Sequence, residues 1–80
     1  AYIEAAASYE SFRDLHPKHE KAPYAMFRVG KSYYKDIPNT TARDLSSATK
    51  ALTAYHEFMA RFPHAAEADE ARADILEIRK

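Results

Sequence analysis

Apolar side chains recur along this chain at helical spacing, in four stretches that proline and polar turns separate. Ala5, Tyr9 and Phe12 are four and three residues apart, which places them on one face of a helix. Pro17 and Pro63 end the first and third stretches, because proline lacks the N–H donor and disfavours a helical residue before it. Four antiparallel helices are predicted, covering roughly residues 1–16, 21–35, 45–62 and 65–80.

The chain also repeats itself after 46 residues without a gap. The matching pairs are Ala5/Ala51, Tyr9/Tyr55, Phe12/Phe58, Pro17/Pro63, Ala22/Ala68, Ala25/Ala71 and Val29/Ile75. A repeat period of this size is typical of solenoids, and the repeated alanines allow two helices to approach closely. The sequence therefore predicts an all-α solenoid of helical hairpins. Residues 1–80 are expected to form one domain, whose two units are joined by an inserted loop at 36–44.

Composition narrows the possible functions. The 80 residues include no cysteine, which excludes a disulfide and a cysteine-based zinc site. Acidic and basic residues balance at twelve each, so the clustered positive charge that binds nucleic acid is missing. No apolar run approaches the roughly 20 residues that cross a bilayer.

No group of residues predicts catalysis or metal binding. His16, His19 and His64 lie at the corners of different repeats, so three zinc ligands are not expected to converge. The carboxylates are expected on solvated helix faces, with no buried acid among them. Gly30 stands alone inside a helix, where it is expected to permit a close helix contact rather than to bind phosphate. We therefore predict a protein that is not an enzyme and needs no cofactor.

The repeat unit resembles a known family. The Ala-xxx-Tyr-xx-Phe-xxxx-Pro pattern of residues 5–17 resembles the second helix of a tetratricopeptide repeat, and residues 29–33 resemble its first helix. The long loop, which ends in Arg43 and Asp44, resembles that of the BamD family of outer-membrane assembly lipoproteins. We also expect Asp44 to cap the third helix.

This resemblance implies where the protein works and what it binds. Its members lie on the periplasmic face of the outer membrane, held only by a lipid anchor, and help to insert β-barrel proteins. The partners would be other assembly subunits or unfolded barrel proteins. The anchor residue and further repeats are not among these 80 residues, so we expect a piece of a longer protein, with self-association possible through exposed repeat ends.

In tetratricopeptide proteins the first helix of each unit lines a groove. The second predicted helix resembles such a first helix, so one stripe of its surface is the candidate groove wall. The candidate groove residues are Tyr24, Phe27, Arg28, Lys31 and Tyr34. The equivalent stripe of the fourth helix is acidic, so the charge of the groove is expected to change from basic to acidic along its length. Phe27 and its neighbours could instead pack against the adjoining repeat. Two other functions stay open: a periplasmic cell-envelope repeat protein, and a structural or oligomerisation spacer without a groove ligand.

Overall fold

The computed structural model describes residues 1–41 and 43–79, and within them the chain forms helices and no strand. The elements are α1 (Tyr2–Leu15), α2 (Ala22–Asp36), a short 3-10 helix (Ile37–Asn39), α3 (Ser46–Arg61) and α4 (Ala68–Ile78). The prediction of an all-α chain with four helices is confirmed. Ala42, in the predicted loop, and Lys80, at the predicted end of the last helix, lie outside the described residues.

The two proline corners have the same backbone structure. His16 and Phe62 end α1 and α3 with nearly equal angles, φ −133°, ψ 58° and φ −134°, ψ 62°. Each donates its N–H to the carbonyl four residues earlier, at 2.9 and 2.8 Å, and two short turns follow. The second of these turns ends at Ala68, so α4 begins there and not at residue 65 as predicted. The sequence repeat is thus also a repeat of the backbone.

α2 is the central helix of the molecule, because it packs against α1, α3 and α4. Between α2, α3 and α4 lies one cluster of buried residues: Met26, Phe27, Tyr55, Phe58, Ala68, Ala71 and Ile75. Between α1, α2 and α3 lies a second cluster: Ala6, Val29, Tyr33, Ala51 and Ala54. Most of the repeated alanines are buried at these helix contacts, as expected. In α1, however, Ala6 is the buried residue, and Ala5 is only half-buried.

Gly30 lies at a close contact between α2 and α3. A Cβ atom at this position would lie 2.5 Å from Cδ1 and 2.6 Å from Cε1 of Tyr55. The missing side chain therefore lets the fully buried Tyr55 ring lie directly against the backbone of α2. This close contact agrees with the role that the sequence predicts for Gly30.

The connection between α2 and α3 is held by short-range hydrogen bonds. Asp36, the last residue of α2, accepts a bond from the Ser47 hydroxyl at 2.6 Å, which ties the two helices together. Asp44 accepts the Ser46 N–H at 2.9 Å, and its hydrogen bonds from Ser46 lower the pKa of this carboxylate. The residue at the cap position is Leu45, so Asp44 precedes the cap by one residue, but its carboxylate accepts a free N–H of the first turn of α3, as predicted.

No helix in the described residues is both long enough and apolar enough to cross a membrane.

Candidate functional site

The structure divides the predicted groove residues of α2 among three environments. Phe27 is only 4% exposed, and its ring lies 6.0 Å from that of Tyr55 and 5.8 Å from that of Phe58. It belongs to the core between α2 and α3, so the prediction that Phe27 lines an open groove is wrong. The reason is its position on the helix: Phe27 shares a face with the buried Gly30 and Met26, which α3 covers.

Lys31 is part of a polar network that joins α2 to α4. Its Nζ lies 2.8 Å from Glu70 Oε2 and 2.8 Å from Asp74 Oδ2, and it stands 5.0 Å from the centre of the Tyr34 ring. Burial lowers the pKa of Lys31, but its hydrogen bonds to Asp74 and Glu70 outweigh this effect and raise the pKa overall. Lys31 is therefore engaged inside the molecule, where it neutralises the acidic stripe of α4.

The centre of this network is a buried acid that the sequence interpretation missed. Asp74 is 7% exposed, and its Oδ2 atom also accepts a 2.6 Å hydrogen bond from the Tyr55 hydroxyl. Burial of the ring, and then the bond to Asp74, raise the pKa of Tyr55 well above its ordinary value. A signal was present, because Asp74 shares the inward face of α4 with Ala71 and Ile75. The expectation of no buried acid is therefore corrected.

Tyr24 and Arg28 lie on the other side of α2, against α1. The Tyr24 ring is 44% exposed and meets Tyr9 edge-on at 6.2 Å. The Arg28 guanidinium lies 5.8 Å from the centre of the Tyr9 ring, and its Nε is buried without a hydrogen-bond partner. Tyr9, Phe12 and Tyr24, but not Arg28, are among the residues that line an open cavity of about 300 Å³. We call the surface formed by Tyr9, Phe12, Tyr24 and Arg28 the α1–α2 face.

Tyr34 lines a different and larger depression, at the end of the molecule where α1 and α3 begin and α2 and α4 end. This open groove has a volume of about 670 Å³. Its walls include Tyr2, Tyr34, Lys35, Leu45 and Ile78. Leu45 is 66% exposed, so an apolar ligand could cover a large side chain here. We call this depression the terminal groove.

The remaining polar candidates are exposed. Arg43 and Asp44 lie on the surface of the loop before α3. His16 and His19 each stand 5.3 Å from the ring of Phe12. In residues 1–41 and 43–79 no three histidine, aspartate or glutamate side chains are grouped so as to hold a metal ion. The candidate binding surfaces therefore present aromatic and apolar side chains with isolated charged residues.

Comparison with known proteins identifies the family. The family model YfiO, described as outer membrane lipoprotein, matches residues 1–80, which is the whole sequence given. Searches of curated proteins and of solved structures return no match. The family match agrees with the repeat pattern, the interrupting loop and the all-helical hairpin fold. This chain belongs to the YfiO family of outer membrane lipoproteins, which is the BamD family that its sequence resembles.

Proposed function

We propose that this chain is a polypeptide-binding scaffold in the assembly of outer-membrane β-barrel proteins, on the periplasmic side of the membrane. Family membership supports the outer-membrane setting. The observation that carries the binding role is the terminal groove, an open volume of about 670 Å³ walled by aromatic and aliphatic side chains together with Lys35 and Glu77. In this proposal a lipid anchor outside the 80 residues attaches the protein to the membrane.

The terminal groove suits an unfolded segment of a barrel protein. Strands of such proteins alternate apolar and polar residues, so an extended segment can present apolar side chains to Tyr34, Leu45 and Ile78. Lys35 stands in the groove wall and can form a charge-assisted hydrogen bond with the carboxylate that ends the partner chain. Apolar burial would then supply affinity, and Lys35 would favour the end of a chain over its middle.

Peptides from the C-termini of barrel proteins test this function. We expect the unmodified chain to bind them, and Leu45→Asp to weaken binding at least about tenfold, because a charge replaces an apolar contact. Leu15→Asp is the matched control, since Leu15 is a comparably exposed leucine at the end of α1 away from the terminal groove. Lys35→Glu should abolish any preference for peptides with a free carboxylate over amidated ones.

The same measurement separates the scaffold from a structural spacer. A spacer has no ligand for the groove, so the peptides would not bind at all. Equal losses in Leu45→Asp and Leu15→Asp would mean that contact is non-specific, and either result would overturn the proposed function.

A further inference from the structure

Another open groove lies between α1 and α3, with α2 as its floor. Its volume is about 380 Å³, and the buried Val29 and Tyr33 of α2 lie at its base. The wall on α3 carries Lys50, Thr53 and Glu57. Helices of this chain therefore bound the groove on both sides and below. We call it the α1–α3 groove.

The charges on the α1 wall are engaged within the molecule. Glu10 accepts a hydrogen bond from the Tyr33 hydroxyl at 3.4 Å, and Arg13 pairs with Asp14 at 2.9 Å. The hydrogen bond and charge of Asp14, and then the charges of Glu10 and Glu57, raise the pKa of Arg13. The α1 wall therefore has little charge left for a ligand.

The charges on the α3 wall are exposed, and within residues 1–41 and 43–79 they form no ion pair. The Nζ of Lys50 stands 5.5 Å from the centre of the Tyr33 ring. Glu57 follows Lys50 by seven residues, which is about 10 Å along the helix and nearly two full turns, so both side chains project from the same side of α3. Thr53 lies between them and is also exposed. This side of α3 thus presents a cation, a small polar side chain and an anion in a row.

This row is complementary to itself when it is reversed. If α3 of a second copy lies antiparallel to α3, Lys50 of each copy faces Glu57 of the other, and a twofold axis passes near Thr53. A parallel arrangement would instead set Lys50 against Lys50. Ser46 and Ala60 lie on the same exposed side of α3, and their small side chains allow two helices to approach closely.

We propose that two copies of this chain associate through an antiparallel contact of their α3 helices, in which α3 of each copy covers the α1–α3 groove of the other. Two ion pairs, each between Lys50 and Glu57, set the register. The terminal groove lies at the end where α3 begins, so the two terminal grooves of this dimer point in opposite directions. Exposed ion pairs and small side chains each contribute little, so we expect a dissociation constant of about 10 µM to 1 mM.

Sedimentation velocity of the 80-residue chain across this concentration range tests the proposal. We expect an equilibrium of monomer and dimer without larger species. Lys50→Glu should weaken dimerisation at least about tenfold, because it turns two attractive pairs into two repulsive ones. Glu57→Lys should do the same. Leu45→Asp, in the terminal groove, should leave dimerisation unchanged.

Exchanging the two charges restores the contact. The double variant Lys50→Glu/Glu57→Lys should dimerise like the unmodified chain, because each pair again joins an acid to a base. An equal mixture of the two single variants should form mixed dimers for the same reason. Lys18→Glu and Glu20→Lys are the matched controls, since they make the same changes of charge at exposed positions in the corner between α1 and α2. Neither should alter the dissociation constant.

Several results would overturn this inference. One is a chain that stays monomeric at about 1 mM. Another is a dimer that survives in Lys50→Glu, or a double variant that dimerises no better than the single ones. Species that grow beyond the dimer with concentration would indicate end-to-end stacking and not a closed twofold contact. If a single variant loses helicity by circular dichroism, the unmodified chain still decides, because a dimer that high salt does not weaken cannot depend on these ion pairs.

Discussion

The contact of Gly30 with Tyr55 gives the sharpest prediction for the fold. In an exposed helix, replacing glycine by alanine raises the free energy of unfolding by about 1 kcal/mol, because glycine loses more backbone entropy on folding. For Gly30→Ala we expect the opposite sign. The new Cβ would lie 2.5 and 2.6 Å from two ring carbons of Tyr55, far inside ordinary van der Waals contact.

Tyr55 has little freedom to move away from that methyl group. Its side chain is fully buried, Phe27 packs beside its ring, and its hydroxyl donates a 2.6 Å hydrogen bond to Asp74. Overpacking of a core costs about 1–3 kcal/mol, and loss of the bond to a buried acid costs about 1–3 kcal/mol more. Set against the gain of about 1 kcal/mol from helix propensity, the net loss for Gly30→Ala is about 1–5 kcal/mol.

Urea unfolding followed by circular dichroism measures this loss. Each kcal/mol lost should also lower Tm by roughly 4–8 °C in a domain of this size. Ala60→Gly, at an exposed position of α3, is the control for propensity alone and should cost about 1 kcal/mol. In a Tyr55→Ala background, Gly30→Ala should become neutral or stabilising, because the ring is gone. If Gly30→Ala stabilises the unmodified chain by about 1 kcal/mol, the close contact is not real and the reasoning fails.

Other predictions concern the buried polar groups. Ser32 is 1% exposed and its Oγ has no hydrogen-bond partner, so Ser32→Ala should raise the free energy of urea unfolding by about 1 kcal/mol; a decrease would reveal a bond to this hydroxyl. Tyr55→Phe should lower the free energy of unfolding by about 1–3 kcal/mol, because the buried Asp74 loses a donor; an unchanged midpoint in urea would contradict this. Burial and Asp74 keep the Tyr55 hydroxyl protonated in the folded chain, whereas unfolded tyrosine ionises near pH 10. Above about pH 10 the native state therefore binds more protons than the unfolded state, and stability should fall as pH rises. The raised pKa of Lys31 also makes stability fall as pH rises, so Tyr55→Phe should reduce this loss of stability above about pH 10 without removing it. Equal dependence of the free energy of unfolding on pH in both proteins would refute the assignment to Tyr55.

The sequence also left some residue roles to be settled by packing. Phe27 and Lys31 are on one predicted stripe, yet Phe27 is in the core and Lys31 binds α4. The stripe shows only that these residues share a side of α2. It does not show which helices, distant in sequence, pack against that side. Tyr9 and Tyr55 are equivalent in the repeat, but Tyr55 is fully buried, whereas Tyr9 is only half-buried beside Tyr24 and Arg28. Burial thus depends on which helices surround a residue, and not only on its place in the repeat.

The sequence by itself determined the helices, the proline corners and the repeat. These features are local, because helical periodicity, the missing N–H of Pro17 and Pro63, and the spacing of small and aromatic residues act within a few residues of one another. Only the tertiary structure decided that Asp74 is buried with Tyr55 and Lys31, and that the Nε of Arg28 is left without a partner. Those outcomes depend on which helices meet and at what distance, and such pairwise geometry is not contained in the pattern of any one helix.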